Sequence, residues 1–109
     1  MELMIHKSRI DWSDALARHT QRRVADRLGR LESFIRRVLV RFVDVNGPRG
    51  GVDKRCAVTA TLSDGSEVVI RSHDACPSRA IDDASRRLQR VVRRHRDRRT
   101  CRRSTGSRR

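Results

Sequence analysis

The stretch Lys54-Arg55-Cys56-Ala57-Val58-Thr59-Ala60-Thr61-Leu62-Ser63-Asp64-Gly65-Ser66-Glu67-Val68-Val69-Ile70-Arg71-Ser72 decides how this chain folds. Its first half alternates, with Cys56, Val58, Ala60 and Leu62 on one side and Ala57, Thr59 and Thr61 on the other. A period of two is the mark of a half-buried strand. Ser63-Asp64-Gly65-Ser66 then brings four turn-forming residues together. From Glu67 to Ser72 the alternation resumes, Val68 and Ile70 against Val69 and Arg71. The stretch reads as an antiparallel hairpin.

On its N-terminal side, Val38 to Val45 is rich in β-branched and aromatic residues and reads as another strand. Asn46-Gly47-Pro48-Arg49-Gly50-Gly51 interrupts it as a charged hairpin end, so the three strands form an antiparallel meander. Before that, Leu16, Thr20, Val24, Leu28, Leu31 and Ile35 recur at spacings of four and three. This pattern predicts an amphipathic helix running to about Phe34, with Asp11 or Ser13 as cap and Asp14 in its first turn. Gly29 weakens it by roughly 1 kcal/mol relative to alanine. Glu2 to Lys7 is a short apolar segment and a first strand.

On the C-terminal side, Asp74 suits an N-cap and Pro77 a first helical turn. Ala80, Ile81, Ala84, Leu88, Val91, Val92 and His95 give a second apolar stripe. Beyond about Arg99 the composition turns to Ser, Thr, Gly and Arg, which predicts fraying or disorder. The expected organisation is one α+β domain over residues 1–99 and an Arg-rich tail over 100–109. The element order is β-α-β-β-β-α, with two helices on one face of a four-stranded sheet. The first helix links strands 1 and 2, which favours a parallel pair.

Charge says what such a scaffold meets. The 109 residues hold 27 Lys and Arg against 13 Asp and Glu, a formal charge of +14. Lys7 and Lys54 are the only lysines. Arginine grips phosphate with a flat fork of donors and also stacks on bases. Thirteen arginines and three aspartates lie from Pro77 to Arg109, a balance of +10 for the last third of the chain. The second helix shows Arg79, Arg86, Arg87, Arg90, Arg93 and Arg94 outside its apolar stripe. The first shows Arg18, Arg22, Arg23, Arg27 and Arg30. A polyanionic partner follows, and nucleic acid fits better than membrane. No apolar run approaches the roughly 18 residues of a bilayer span, and Met1-Glu2-Leu3-Met4-Ile5 lacks the basic start of a signal peptide. A cytoplasmic location is the expectation.

The aromatic residues are Trp12, Phe34 and Phe42. So few argue against a platform for stacking single-stranded bases and for recognition of backbone and shape. Cys56, Cys76 and Cys101 are odd in number and never spaced Cys-x-x-Cys, so reduced thiols are expected rather than disulfides or a zinc knuckle. Cys56, on a strand face, reads as a buried apolar residue. His73 and Cys76 stand three apart, too few ligands for a metal. Asp82 and Asp83 are adjacent on a helix and point apart, so they make no catalytic pair. The loop Asn46–Gly51 is followed by no Gly-Lys-Ser or Gly-Lys-Thr and is no nucleotide loop. No enzyme, cofactor or metal is expected.

Three stretches carry a resemblance. Asp14-Ala15-Leu16 opens a long helix that ends near Arg30-Leu31. Asp44-Val45-Asn46-Gly47-Pro48-Arg49-Gly50-Gly51-Val52-Asp53-Lys54-Arg55-Cys56 forms a glycine-rich hairpin. Ala80-Ile81-Asp82 leads to Arg87-Leu88-Gln89-Arg90 and Arg93-Arg94-His95-Arg96. In this order and spacing the chain resembles the ribosome hibernation-promoting factor and ribosome-associated inhibitor family over residues 1 to about 99. The resemblance implies a double-stranded-RNA-binding-like α+β fold. It implies binding in the decoding channel of the small ribosomal subunit, contact with ribosomal RNA, and blocked initiation under stress or in stationary phase. By position, Arg87, Arg90, Arg93, Arg94 and Arg96 match the family's basic run on the last helix, and Arg30 matches on the first. Arg23 and Arg27 correspond to within one helical turn. Long members carry a further C-terminal domain that pairs ribosomes. Without one, this chain is expected to act alone or with a separate ribosome modulation factor. The candidate RNA-binding residues are thus Arg22, Arg23, Arg27, Arg30, Arg79, Arg86, Arg87, Arg90, Arg93, Arg94 and Arg96. A general double-stranded RNA or DNA binder and a protein-interaction regulator remain open as alternatives.

Overall fold

The computed structural model describes residues 1–8, 14–44 and 54–107, with side chains described within 1–6, 14–43 and 54–98. Four strands, β1 (Glu2–Ser8), β2 (Ile35–Asp44), β3 (Lys54–Leu62) and β4 (Glu67–Asp74), lie in that order in one sheet. The helices are α1 (Asp14–Leu28) and α2 (Pro77–Ser107), and a 3-10 segment, Gly29–Phe34, joins α1 to β2. The order is the expected β-α-β-β-β-α. β1 pairs parallel with β2, Ile5 opposite Val40. β2, β3 and β4 form the meander, with Val40 opposite Val58 and Val58 opposite Ile70.

The alternation of the opening stretch is what the sheet uses. Cys56, Val58, Ala60 and Leu62 are buried on one face, joined by Val38, Val40 and Phe42 from β2 and Val68 and Ile70 from β4. Leu16, Val24 and Leu28 of α1 and Ala80, Ile81, Ala84, Leu88 and Val92 of α2 close over the same face. α2 lies along β3 and β4, and α1 lies beside α2. Burying side chains of this size stabilises by roughly 1.5–3 kcal/mol each. The β3–β4 turn is closed by the Gly65 N–H donating to the Leu62 carbonyl at 3.0 Å and by the Leu62 N–H donating to the Ser66 carbonyl at 2.8 Å. Gly65 has φ +92°, a region side chains resist. Asp64 accepts from both the N–H and the hydroxyl of Ser66.

Several boundaries differ from expectation. The α-helix stops at Leu28 instead of reaching Phe34, because Gly29 gives it no further propensity. The chain tightens there into 3-10 form, whose period of three still turns Leu31 into the core after Leu28. Ile35, expected on the helix face, is instead the first residue of β2, beside a register shift between Ile35 and Arg37. The last helix runs from Pro77 to Ser107 without interruption, so no element ends at Arg99. Its entry also differs slightly. Asp74 is the last residue of β4, and its carboxylate accepts the Cys76 N–H at 2.9 Å, turning the chain into the helix. The loop Asn46–Gly51 and the caps Asp11 and Ser13 lie outside the described residues.

Candidate nucleic-acid interface

The interface grows from the geometry of α2. A helix advances 100° per residue, so Arg79, Arg86, Arg90 and Arg93 fall within one narrow outward stripe. All four are exposed, as are Arg87 and Arg94 on the stripe's β4 side. Arg96 lies on the other flank, seven residues beyond Gln89 and fourteen beyond Asp82. It is half-buried, with its Nε 3.3 Å from Asp97 Oδ1.

The neighbouring aspartates, Asp82 and Asp83, do point apart, and each holds a different seam. Asp82 faces α1. Its Oδ1 lies 2.8 Å from His19 Nε2 and 3.0 Å from Arg23 Nε. That Arg23 Nε is buried and makes no aligned hydrogen bond, so the contact is an ion pair only. Asp83 faces β4. Its Oδ2 accepts the Ser72 hydroxyl at 2.9 Å and Arg87 Nη1 at 3.2 Å, while Oδ1 accepts Arg86 Nη2 at 2.9 Å. Arg87 Nη1 also donates to the Arg71 carbonyl at 2.7 Å, crossing to the edge strand. Burial raises the Asp83 pKa, but hydrogen bonds from Ser72, Arg86 and Arg87 and the charge of Arg87 outweigh it and hold the carboxyl below its ordinary value.

These contacts sort the candidate arginines. Arg22 and Arg30 stand exposed on α1 and the 3-10 segment. Arg23 and Arg27 do not belong to a fully outward face, as the α1 pattern suggested; both are half-buried at the seam with α2. Arg27 comes together with Arg79 and Arg86, and with Asp82 and Asp83, around an open cleft of about 270 Å³. Arg86 and Arg87 are tethered to Asp83. Arg79, Arg90, Arg93 and Arg94 make no ion pair among the described residues, and all four stand exposed to solvent. The sequence reading missed the orienting role of His19, Ser72, Asp82 and Asp83. The signal for it was present, since two acids in a strongly basic helix need a local use.

Among the described residues no three His, Cys, Asp or Glu side chains come together as metal ligands would. His73 Nε2 accepts a hydrogen bond from Arg55 Nε at 3.0 Å. Cys56 is buried, which pushes its thiol up to about 12, and Cys76 is exposed. No described helix is long and apolar enough to cross a membrane.

The fold recurs among solved structures. A ribosomal subunit interface protein from Coxiella burnetii superposes with a TM-score of 0.74 at 14% identity, covering 89% of this chain and 99% of that one. The N-terminal domain of Protein Y from Thermus thermophilus does so with a TM-score of 0.70 at 21% identity, covering 87% and 99%. No curated protein sequence matches the chain. The family model for sigma 54 modulation protein / S30EA ribosomal protein matches residues 3–100, from the first strand through most of α2. The chain therefore belongs to that family, which takes in the ribosome hibernation factors that its residues resemble.

Proposed function

We propose that this protein binds the small ribosomal subunit through ribosomal RNA and holds idle ribosomes silent, occupying the decoding channel under stress or in stationary phase. The observation that carries the reading is the outward stripe Arg79, Arg86, Arg90 and Arg93 on α2, continued by Arg27 across the cleft and flanked by Arg87 and Arg94. Arg22, Arg23, Arg30 and Arg96 extend it on the two helices. The stripe follows a rigid helix, so its guanidinium groups keep a fixed spacing against a phosphate backbone. Neutralised phosphates release counterions, so affinity falls steeply with salt. The missing aromatic platform makes base readout minor and shape readout dominant.

Residues 1–99 form the ribosome-binding unit, and 100–109 extend its basic end. The protein works in the cytoplasm, catalyses no reaction and needs no cofactor. It acts on single ribosomes or beside a separate modulation factor. Sedimentation tests this directly. In low salt, the protein should travel with small subunits from stationary-phase cells. Recovery only in the top fractions would refute the reading. Competition with bulk duplex RNA separates a ribosome-specific protein, which duplex RNA leaves bound, from a general RNA binder, which it strips off.

A further inference from the structure

The helices cover one face of the sheet and leave the other open, and that open face is ordered by chemistry. The pairing registers place its side chains in rows across the strands. Glu2, Arg37, Thr61 and Glu67 make the first row, and Met4, Leu39, Thr59 and Val69 the second. His6, Arg41, Ala57 and Arg71 make the third, and Val43, Arg55 and His73 continue into a fourth. Among the described residues, acids therefore stand only at one end of this face, where Arg37 Nε lies 3.6 Å from Glu2 Oε2. The other end carries Arg41, Arg55 and Arg71, all exposed and none ion-paired among the described residues.

Between the two ends lies an apolar row left in solvent. Val69 is 44% and Met4 37% exposed, among the few large apolar side chains so placed, with half-buried Leu39 and the methyl-bearing Thr59 between them. An apolar row beside an unpaired cationic row marks a surface built for contact. We propose that this face docks an acidic amphipathic segment of a partner protein, its apolar side chains on Met4, Leu39 and Val69 and its carboxylates on Arg41, Arg71 and Arg55.

The dimensions suit such a segment. Four strands at about 4.8 Å spacing give an apolar row about 15 Å across, the length of roughly ten helical residues. The cationic row runs parallel to it about 6.6 Å away, two residues further along the strands. RNA fits this face less well. Phosphate oxygens set against the apolar row would lose water without gaining hydrogen bonds there, and among the described residues of this face only His6 and His73, at its cationic end, offer a ring to a base. The surface lies opposite the arginine stripe of α2, so it does not depend on the RNA-binding reading.

The test is a two-ligand titration of the full chain followed by amide resonances. One probe is a fourteen-residue peptide designed as a helix with a leucine stripe flanked by glutamates. The other is a short RNA duplex. The peptide should shift the amides of Leu39, Arg41, Val69 and Arg71 and leave those of Arg90 and Arg93 in place. The Arg41→Glu/Arg71→Glu variant should weaken the peptide at least tenfold and leave duplex affinity within twofold. Val69→Ser, milder for the fold, should weaken the peptide alone. Peptide shifts confined to the helices, no peptide binding, duplex shifts centred on the sheet, or concentration-dependent shifts without ligand would each overturn the proposal. The last two would assign the face to RNA or to a second copy of the chain.

Discussion

Asp83 joins the interface to the fold through one carboxylate. It takes the Ser72 hydroxyl from β4 and both Arg86 and Arg87 from its own helix. Its pKa is held below the ordinary carboxylate value, so it binds fewer protons folded than unfolded. The stability it contributes is therefore complete above the unfolded value, near 3.9, and is lost as the pH falls through the lower folded value. Acid titration of Asp83→Asn beside the parent chain should show a smaller loss of stability below about pH 4 in the variant. Equal losses would remove Asp83 from the account. The cysteines give a second check at this scale. With its thiol raised to about 12 by burial, Cys56 should resist alkylation in the native state, while exposed Cys76 reacts. Mass spectrometry of the alkylated protein reads both. The burial of Cys56 is legible in its alternating stretch. The pairing of Asp83 with Arg86 and Arg87 follows from their i+3 and i+4 spacing, but its bond to Ser72 is not legible, because a contact between residues eleven apart depends on how α2 crosses β4.

At the scale of elements, periodicity settled most of the fold. The period of two in Lys54–Leu62 became β3, with inward positions buried and outward ones half-exposed. Of the positions recurring at spacings of four and three, Leu16, Thr20, Val24 and Leu28 became the buried face of α1. The same spacing misled at Leu31 and Ile35. A 3-10 turn and a strand start also turn residues inward, and periodicity alone does not separate the three. Gly29 marks the change. A Cβ added there meets nothing within 4 Å, and its backbone lies outside the positive-φ region. Gly29→Ala should therefore raise stability by about 0.4–1 kcal/mol through the unfolded chain. Urea unfolding would measure it, and a loss of stability would mean the 3-10 segment needs glycine. On β2, Phe42 is fully buried, and Phe42→Ala should lower stability by about 3–5 kcal/mol.

Across the whole molecule, one sheet separates two surfaces of different character. The helical side gathers a stripe of arginine, and the open side pairs an apolar row with a cationic one. The bulk charge of +14 was legible at once, and so was its concentration on the last helix. The sorting of those arginines was not. Arg86 and Arg87 are shared with Asp83, Arg23 is spent on Asp82, and Arg79, Arg90, Arg93 and Arg94 carry no such tether. Contacts within α2 and across its seam with α1, rather than residue type, decide which cations stay untethered. The proposed ribosome contact thus falls chiefly to the untethered Arg79, Arg90, Arg93 and Arg94, and equilibrium binding to purified small subunits tests it most directly. An Arg90→Glu/Arg93→Glu/Arg94→Glu variant should keep the parent's circular dichroism and lose binding by at least a hundredfold, with a shallower dependence on salt. A folded variant that binds with unchanged affinity and salt slope would contradict the account.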